Sequence, residues 1–434
     1  MTLSARDHAV LWHPYTQHKI AATPLPVTSG KGAYLYDENG KRYLDLISSW
    51  WVNLHGHAQP DIAKAIYEQA MQLEHVIFAG FTHEPAVKLA ENILALLPAE
   101  FSKVFYSDNG STAVEVALKM AHQYWRNHGE TNRRRFLAFE GSYHGDTFGA
   151  MAVGKGCGFF GHYTDLFFEV DLLPYPAVAK NDANAEKIEQ QVLAKISDHL
   201  DLYGKETSSL IIEPLVQGVA GMRMCTPRFL RNLEKLVHSH GILIIYDEVM
   251  TGFGRTGNYF SCLQAETTPD IICVSKGITG GFLPLAATIC NEKIYQAFLG
   301  ETMGSALIHG HSYAANPIGC AAALASLELL KSPETQAQIA LIEKINKEEL
   351  ARMSEMGAVE NARYCGTIAA FNFKCTEGYG SKRGYEIQNN FLEQGLLMRP
   401  LGNVFYFIPP YCITEEELRG AYDVAIHELQ GEIA

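Results

Sequence analysis

Two residues of opposite charge each follow a short apolar run. Asp247 comes after residues 242–246 (ILIIY), and Lys276 comes after 271–274 (IICV) and Ser275. Runs of this length and composition read as buried strands of an α/β sheet. Ligands in an open sheet of that kind bind beyond the carboxyl ends of the strands, so both side chains are expected at one crevice. An amine and a carboxylate held there suit pyridoxal phosphate, with the lysine forming a Schiff base and the aspartate pairing with the protonated ring nitrogen. Two such charges about 4 Å apart attract by roughly 4 kcal/mol at an effective dielectric of about 20, before desolvation is counted. An ordinary strand-end ion pair accounts for the same two residues.

A second element is the turn from Ser107 to Thr112 (SDNGST). Free backbone N–H groups at a helix start, with Ser111 and Thr112 hydroxyls beside them, form a site for a dianionic phosphate; a plain N-cap uses the same residues. Tyr143, His144, Gly145 and Asp146 follow another strand-like run, and Tyr143 could stack on a cofactor ring. Gly252, Gly254 and Gly257 have the G-x-G-x-x-G spacing of dinucleotide folds, but no helical pattern opens after Gly257, which argues against a nicotinamide or flavin role. Histidines 55 and 57, and 309 and 311, each straddle a glycine without a third metal ligand nearby. No Gly-x-Ser-x-Gly elbow supports serine hydrolysis.

The elements that must position these residues alternate. Strand-like runs at 103–106, 135–139, 209–212, 242–246 and 271–274 are separated by helical periodicity, most clearly from 112 to about 128, which predicts a mostly parallel sheet covered by helices. A helix from 316 to about 330 ends at Ser332 and Pro333. Beyond it come a helix at 335–354, short strands near 366–373 and 403–408, and a terminal helix from about 414. The first 50 residues carry a hairpin-like pattern around Asn39 and Gly40 and are expected to join this smaller α+β unit.

Composition sets the outer limits. The chain has 434 residues, 47% apolar and 19% charged, with no low-complexity tract, so a compact multi-domain enzyme or binder is expected. A net charge of −13 gives little electrostatic support to nucleic-acid binding. Nine scattered cysteines suggest neither a disulfide framework nor a zinc site, and no window of roughly 18 apolar residues suggests a membrane span. A reduced, cytoplasmic, unanchored protein is the expectation.

With these residues in hand, the sequence resembles the class III pyridoxal-phosphate aminotransferases over almost its whole length. Asp247, Glu248 and Val249, then the stretch from Gly252 to Gly257, then Ser275, Lys276 and Gly277 match that family's central signature. Residues 12–16 (WHPYT), Ser48 to Trp51, Gly110 and Ser111 with 113–115 (AVE), and Arg399 and Pro400 with Tyr406, Pro409 and Pro410 narrow the resemblance to its biotin-synthesis branch. The resemblance implies a fold-type I architecture, with a large domain at 51–330 and a small domain from 1–50 and 331–434. It implies a homodimer with the active site at the interface. It also implies a two-stage amino transfer from a donor, S-adenosylmethionine in most relatives and lysine in some, to the C7 ketone of 8-amino-7-oxononanoate. By position, Lys276, Asp247 and Tyr143 would be catalytic, and Gly110, Ser111 and Ser312 would help hold the cofactor. Tyr15, Trp50, Trp51, Arg255, Gly310, Arg399 and Tyr406 would form the substrate site. Gly310, His311 and Ser312 stand where a Pro and a Thr are usual, so Ser312 keeps the hydroxyl expected of the second subunit while His311 departs from the pattern. Another ω-aminotransferase of the class, and a noncatalytic ligand-binding relative, remain the alternatives.

Overall fold

The computed structural model describes residues 2–179, 182–375, 378 and 383–430. In chain order the strands are β1 (Val27–Lys31), β2 (Tyr34–Asp37), β3 (Arg42–Asp45), β4 (Phe101–Ser107), β5 (Arg135–Phe139), β6 (Val170–Leu173), β7 (Thr207–Ile212), β8 (Val216–Gln217), β9 (Arg223–Met224), β10 (Leu243–Asp247), β11 (Ile271–Val274), β12 (Ala286–Asn291), β13 (Val359–Cys365), β14 (Ile368–Phe373), β15 (Leu396–Leu397) and β16 (Val404–Phe407). Seven of them form the central sheet in the order β4-β12-β11-β10-β7-β5-β6. Strands β11, β10, β7, β5 and β6 run parallel, while β12 is antiparallel to both its neighbours. Every residue of β7, β10 and β11 is buried, as expected of strands covered on both faces.

Helices cover the sheet, and their starts are written in the sequence. Gly110–Asn127 opens with a capping box in which Asn109 receives the Thr112 N–H and Thr112 receives the Asn109 N–H. Pro317–Lys331 and Pro333–Ser354 each begin with proline at the first helical position, behind the caps Asn316 and Ser332. Ser332 is thus both the end of one long helix and the cap of the next. Sequence patterning places β4, β5, β7, β10 and β11 within a few residues of their bounds. It misses β6 and β12, which lack a clear alternation, and β13, whose outer residues are mostly polar.

Outside the central sheet, β1, β2 and β3 form an antiparallel meander completed by β15, which pairs parallel with β3 through Leu396 opposite Leu44 and Leu397 opposite Asp45. A third sheet has the order β13-β14-β16. The N-terminal hairpin is therefore joined by main-chain hydrogen bonds to the C-terminal part of the chain. No helix among the described residues is long and apolar enough to cross a membrane.

Candidate active site

Strands β10 and β11 are parallel neighbours, with Asp247 in register with Cys273. Asp247, the last residue of β10, and Lys276, two residues past β11, consequently lie at the same carboxyl end of the sheet. Lys276 has φ 43°, a left-handed conformation that turns the chain sharply out of the strand. Its amine lies 5.4 Å from the centre of the Trp51 ring. Burial lowers the Lys276 pKa, while the Asp247 and Glu213 carboxylates pull it back up. Asp247 is held from two sides, since Oδ2 lies 2.7 Å from His144 Nδ1 and Oδ1 accepts the Val249 N–H at 3.1 Å. His144 is buried, and its Nε2 has no hydrogen-bond partner among the described residues.

The helix start at Gly110 faces the same space. The first turn leaves N–H groups of Gly110 and Ser111 without intrahelical partners. Ser111 Oγ accepts the Asp146 N–H at 3.1 Å, which ties this turn to the segment carrying Tyr143. Gly145, with φ +122°, makes that approach: a Cβ there would lie 2.1 Å from Ser111 Oγ. The cleft is about 470 Å³ and is lined by Gly110, Ser111, Tyr143, Asp247, Val249 and Lys276 among others. It combines free N–H donors at a helix start, an amine, a carboxylate and an aromatic ring. This set fits pyridoxal phosphate, which carries a phosphate, an aldehyde, a basic ring nitrogen and a ring face that call for groups of these kinds.

Glu213 belongs to this wall too, and the sequence reading passes it by. It follows β7, the strand beside β10, so the strand-end rule that singles out Asp247 applies to it equally. Its carboxyl accepts the Tyr143 and Gly218 N–H groups at 3.1 and 2.9 Å. Burial is the largest influence on it and pushes its pKa up to about 7.

A second cavity of about 730 Å³ shares Trp51, Val52, Tyr143 and Lys276 with the first. Its walls include Tyr15, Trp50, Asp146, Val219, Arg399 and Tyr406. The Tyr15 hydroxyl donates to the Asp146 carboxylate at 2.6 Å and lies 3.2 Å from the Tyr143 hydroxyl. Burial, followed by the Asp146 hydrogen bond, pushes the Tyr15 pKa up to about 12. Trp51 Nε1 donates to the Tyr406 hydroxyl at 3.2 Å, and the Arg399 guanidinium stands 4.7 Å above the Trp50 ring. The two tryptophans diverge because Ser48, Ser49 and Trp51 are all left-handed, with φ of 50°, 60° and 66°. Asp45 holds this strained turn by accepting the Ile47 and Ser49 N–H groups, and the Ser48 hydroxyl donates to the Ile408 carbonyl.

Three expected site residues lie elsewhere. Arg255 is 1% exposed, is absent from the walls of both cavities, and donates to the carbonyls of Pro409 at 2.8 Å and Asn53 at 2.9 Å. These two contacts join backbone segments far apart in sequence. Gly310 and Ser312 are exposed and line neither cavity of this chain. Between them, His311 Nε2 lies 3.8 Å from Asp108, which borders the first cavity. Among the described residues no group of three or more His, Cys, Asp or Glu could hold a metal ion. His57 instead contacts Asp45 at 2.9 Å, and burial pushes the His55 pKa down to about 4.

A mixed sheet with a parallel centre, carrying a strand-end lysine and aspartate against a helix start, defines a fold-type I pyridoxal-phosphate transferase. The chain belongs to the class-III aminotransferases, whose family pattern it matches over residues 15–428. It is 49% identical to the adenosylmethionine-8-amino-7-oxononanoate aminotransferase of Synechococcus elongatus, covering 98% of this chain and 100% of that one. The enzyme of the same name from Geobacter sulfurreducens is 39% identical, with 99% and 98% covered. Among solved structures, the Methanocaldococcus jannaschii enzyme of that name superposes with a TM-score of 0.92 at 36% identity, covering 99% and 98%. An amine transaminase from an uncultivated Pseudomonas species, in a PLP-bound form, gives 0.90 at 30%, covering 97% and 98%. The cofactor of the class is pyridoxal 5'-phosphate.

Proposed function

We propose that this chain transfers an amino group from S-adenosylmethionine to the C7 ketone of 8-amino-7-oxononanoate, forming 7,8-diaminononanoate for biotin synthesis. The observation that carries this reading is the second cavity. A single space with aromatic walls is lined both by Lys276 and by Arg399, whose guanidinium stands over the Trp50 ring, which suits a keto acid with a long methylene chain. The names of the relatives at 49% and 39% identity point the same way.

Bound in the first cavity, pyridoxal phosphate supplies an aldehyde for the amine and an electron-withdrawing ring beside the reacting carbon. Gly110 and Ser111 would hold the phosphate, Tyr143 would cover a ring face, and Asp247, steadied by His144, would pair with the ring nitrogen. Lys276 carries the proton to and from the substrate carbon. Its burial favours the neutral amine that such a base must present. Trp50 and Trp51 pack the methylene chain, Tyr15 and Tyr406 bound it, and Arg399 takes the carboxylate.

The same reading assigns residues 51–330 to a cofactor-binding domain and residues 1–50 with 331–434 to a smaller one. It makes the protein a cytoplasmic homodimer in which Gly310 and Ser312 serve the cavity of the second copy. Their exposure, with that of the apolar Phe81, Ile308 and Tyr313, supports this. A donor screen with 8-amino-7-oxononanoate as acceptor tests the function, with 7,8-diaminononanoate detected by mass spectrometry. Product with S-adenosylmethionine is the expected result. Product with lysine alone would move the donor assignment, and no product with any donor would overturn the reading.

A further inference from the structure

We propose that Arg363 is a positioning residue for the substrate cavity: by gripping the tip of the β8–β9 hairpin it sets the place of Val219 in the cavity wall. The inference rests on the function proposed above for its choice of substrate, and on the following contacts for its geometry.

Strands β8 and β9 are joined by a tight tip in which the Gly218 carbonyl accepts the N–H groups of Gly221 and Met222 at 3.2 and 3.0 Å. Val219 on this tip lines the second cavity. One end of the tip is fixed from the cofactor side, where the Gly218 N–H donates to Glu213 at 2.9 Å. The same residue presses on the substrate wall, since a Cβ on Gly218 would lie 3.0 Å from the Trp51 ring. The other end has an uncommon conformation, with Met222 left-handed at φ 53°. Arg363 holds this end. Its Nε donates to the Met222 carbonyl at 2.8 Å and its Nη2 to the Gly221 carbonyl, while Nη1 donates to the Asn361 carbonyl and, at 2.8 Å, to Asn372 Oδ1.

The third sheet is built to aim this side chain. β13 is its edge strand, and the pairing with β14 shifts register between Glu360 and Arg363, where Asn361 is left-handed at φ 50°. A bulge of that kind re-aims the next side chain, here out of the sheet and onto the hairpin. The guanidinium spends its donors on neutral oxygens, and its burial lowers the pKa to about 10. A planar fork with several fixed donors spans two successive carbonyls in a way a lysine does not. Arg363 touches no expected cofactor or substrate atom. Its effect passes through the hairpin tip.

The test compares the wild-type holoenzyme with Arg363→Met, Arg363→Lys, Val219→Ala and the double variant Arg363→Met/Val219→Ala. Arg363→Met should raise KM for 8-amino-7-oxononanoate by about tenfold with kcat and cofactor affinity within about twofold, the pattern of lost binding without lost chemistry. Amide exchange at Val219 to Met222 should quicken, and Arg363→Lys should recover part of both effects. Val219→Ala should raise KM as well, and the double variant should exceed Arg363→Met by less than about twofold, because both act on one contact. Unchanged exchange at the tip, an unchanged KM, or full additivity in the double variant would overturn the proposal. If Arg363→Met does not fold, Asn372→Ala, which withdraws one acceptor from the guanidinium, takes its place with the same readouts. A wild type inactive on this acceptor would refute the functional reading, and the exchange comparison would still decide whether Arg363 holds the tip.

Discussion

Removing the guanidinium of Arg399 should weaken the keto acid and spare the cofactor. In the structure this group stands 4.7 Å over the Trp50 ring and borders the cavity that also reaches Lys276. The ring contact is worth about 0.5–1 kcal/mol and exists before any substrate arrives, so it orients the fork without adding to affinity. The carboxylate contact is a charge-assisted hydrogen bond, worth about 1.5–3 kcal/mol. At 1.36 kcal/mol per decade, Arg399→Ala is then expected to raise KM for 8-amino-7-oxononanoate by roughly 10- to 150-fold. Lysine at this position keeps the charge but loses the fork and should fall between the two. The assay is steady-state kinetics with the acceptor and with its carboxyl methyl ester. The wild type should discriminate strongly against the ester, and Arg399→Ala should barely distinguish the two. Equal discrimination by both proteins would refute the carboxylate role and leave Arg399 as a packing partner of Trp50.

Three further outcomes are expected. Lys276→Ala should abolish turnover and the borohydride-reducible lysine adduct while cofactor still binds through its phosphate; a variant that keeps the adduct would displace Lys276 from its role. Gly145→Ala puts a Cβ 2.1 Å from Ser111 Oγ at φ +122°, so cofactor affinity, read by absorbance titration, should drop by more than about tenfold; unaltered affinity would mean that the two turns do not shape the site. The Glu213 carboxyl, raised from 4.5 to about 7 in the fold, binds more protons folded than unfolded, so its share of stability is present at low pH and is lost as pH rises towards 7 and beyond. Relative to wild type, cofactor-free Glu213→Gln should therefore gain on the order of 3 kcal/mol between pH 4.5 and 8 in urea unfolding, and parallel pH profiles would contradict the burial argument.

The legible part of this protein lies where one local rule suffices. Apolar runs ending in Asp247 and Ser275–Lys276 place two side chains at a strand edge, and the Asn109 to Thr112 cap marks the helix that begins there. Glu213 obeys the same strand-end rule, yet only the pairing of β7 beside β10 brings it into the wall. The surroundings of Arg255 are hidden from the sequence for a related reason. Asn53 and Pro409, far away in sequence, supply the carbonyls it donates to. Adjacent tryptophans likewise give no hint that one is 5% and the other 42% exposed, because that depends on three left-handed residues. Arg363 is invisible in the sequence, since its direction comes from a bulge in an edge strand.

The pairing of β3 with β15 has a consequence for synthesis on the ribosome. β3 leaves the exit tunnel with the first tenth of the chain, but the strand that completes its sheet follows about 350 residues later, roughly 20 to 70 s at 5–20 residues per second. Through that interval one edge of the hairpin sheet presents unpaired main-chain groups to any other nascent strand. Trp50 and Trp51 wait likewise for Arg399 and Tyr406. A ribosome stalled after Lys276 therefore carries a chain with its lysine and helix start already made and a substrate pocket that still lacks one wall.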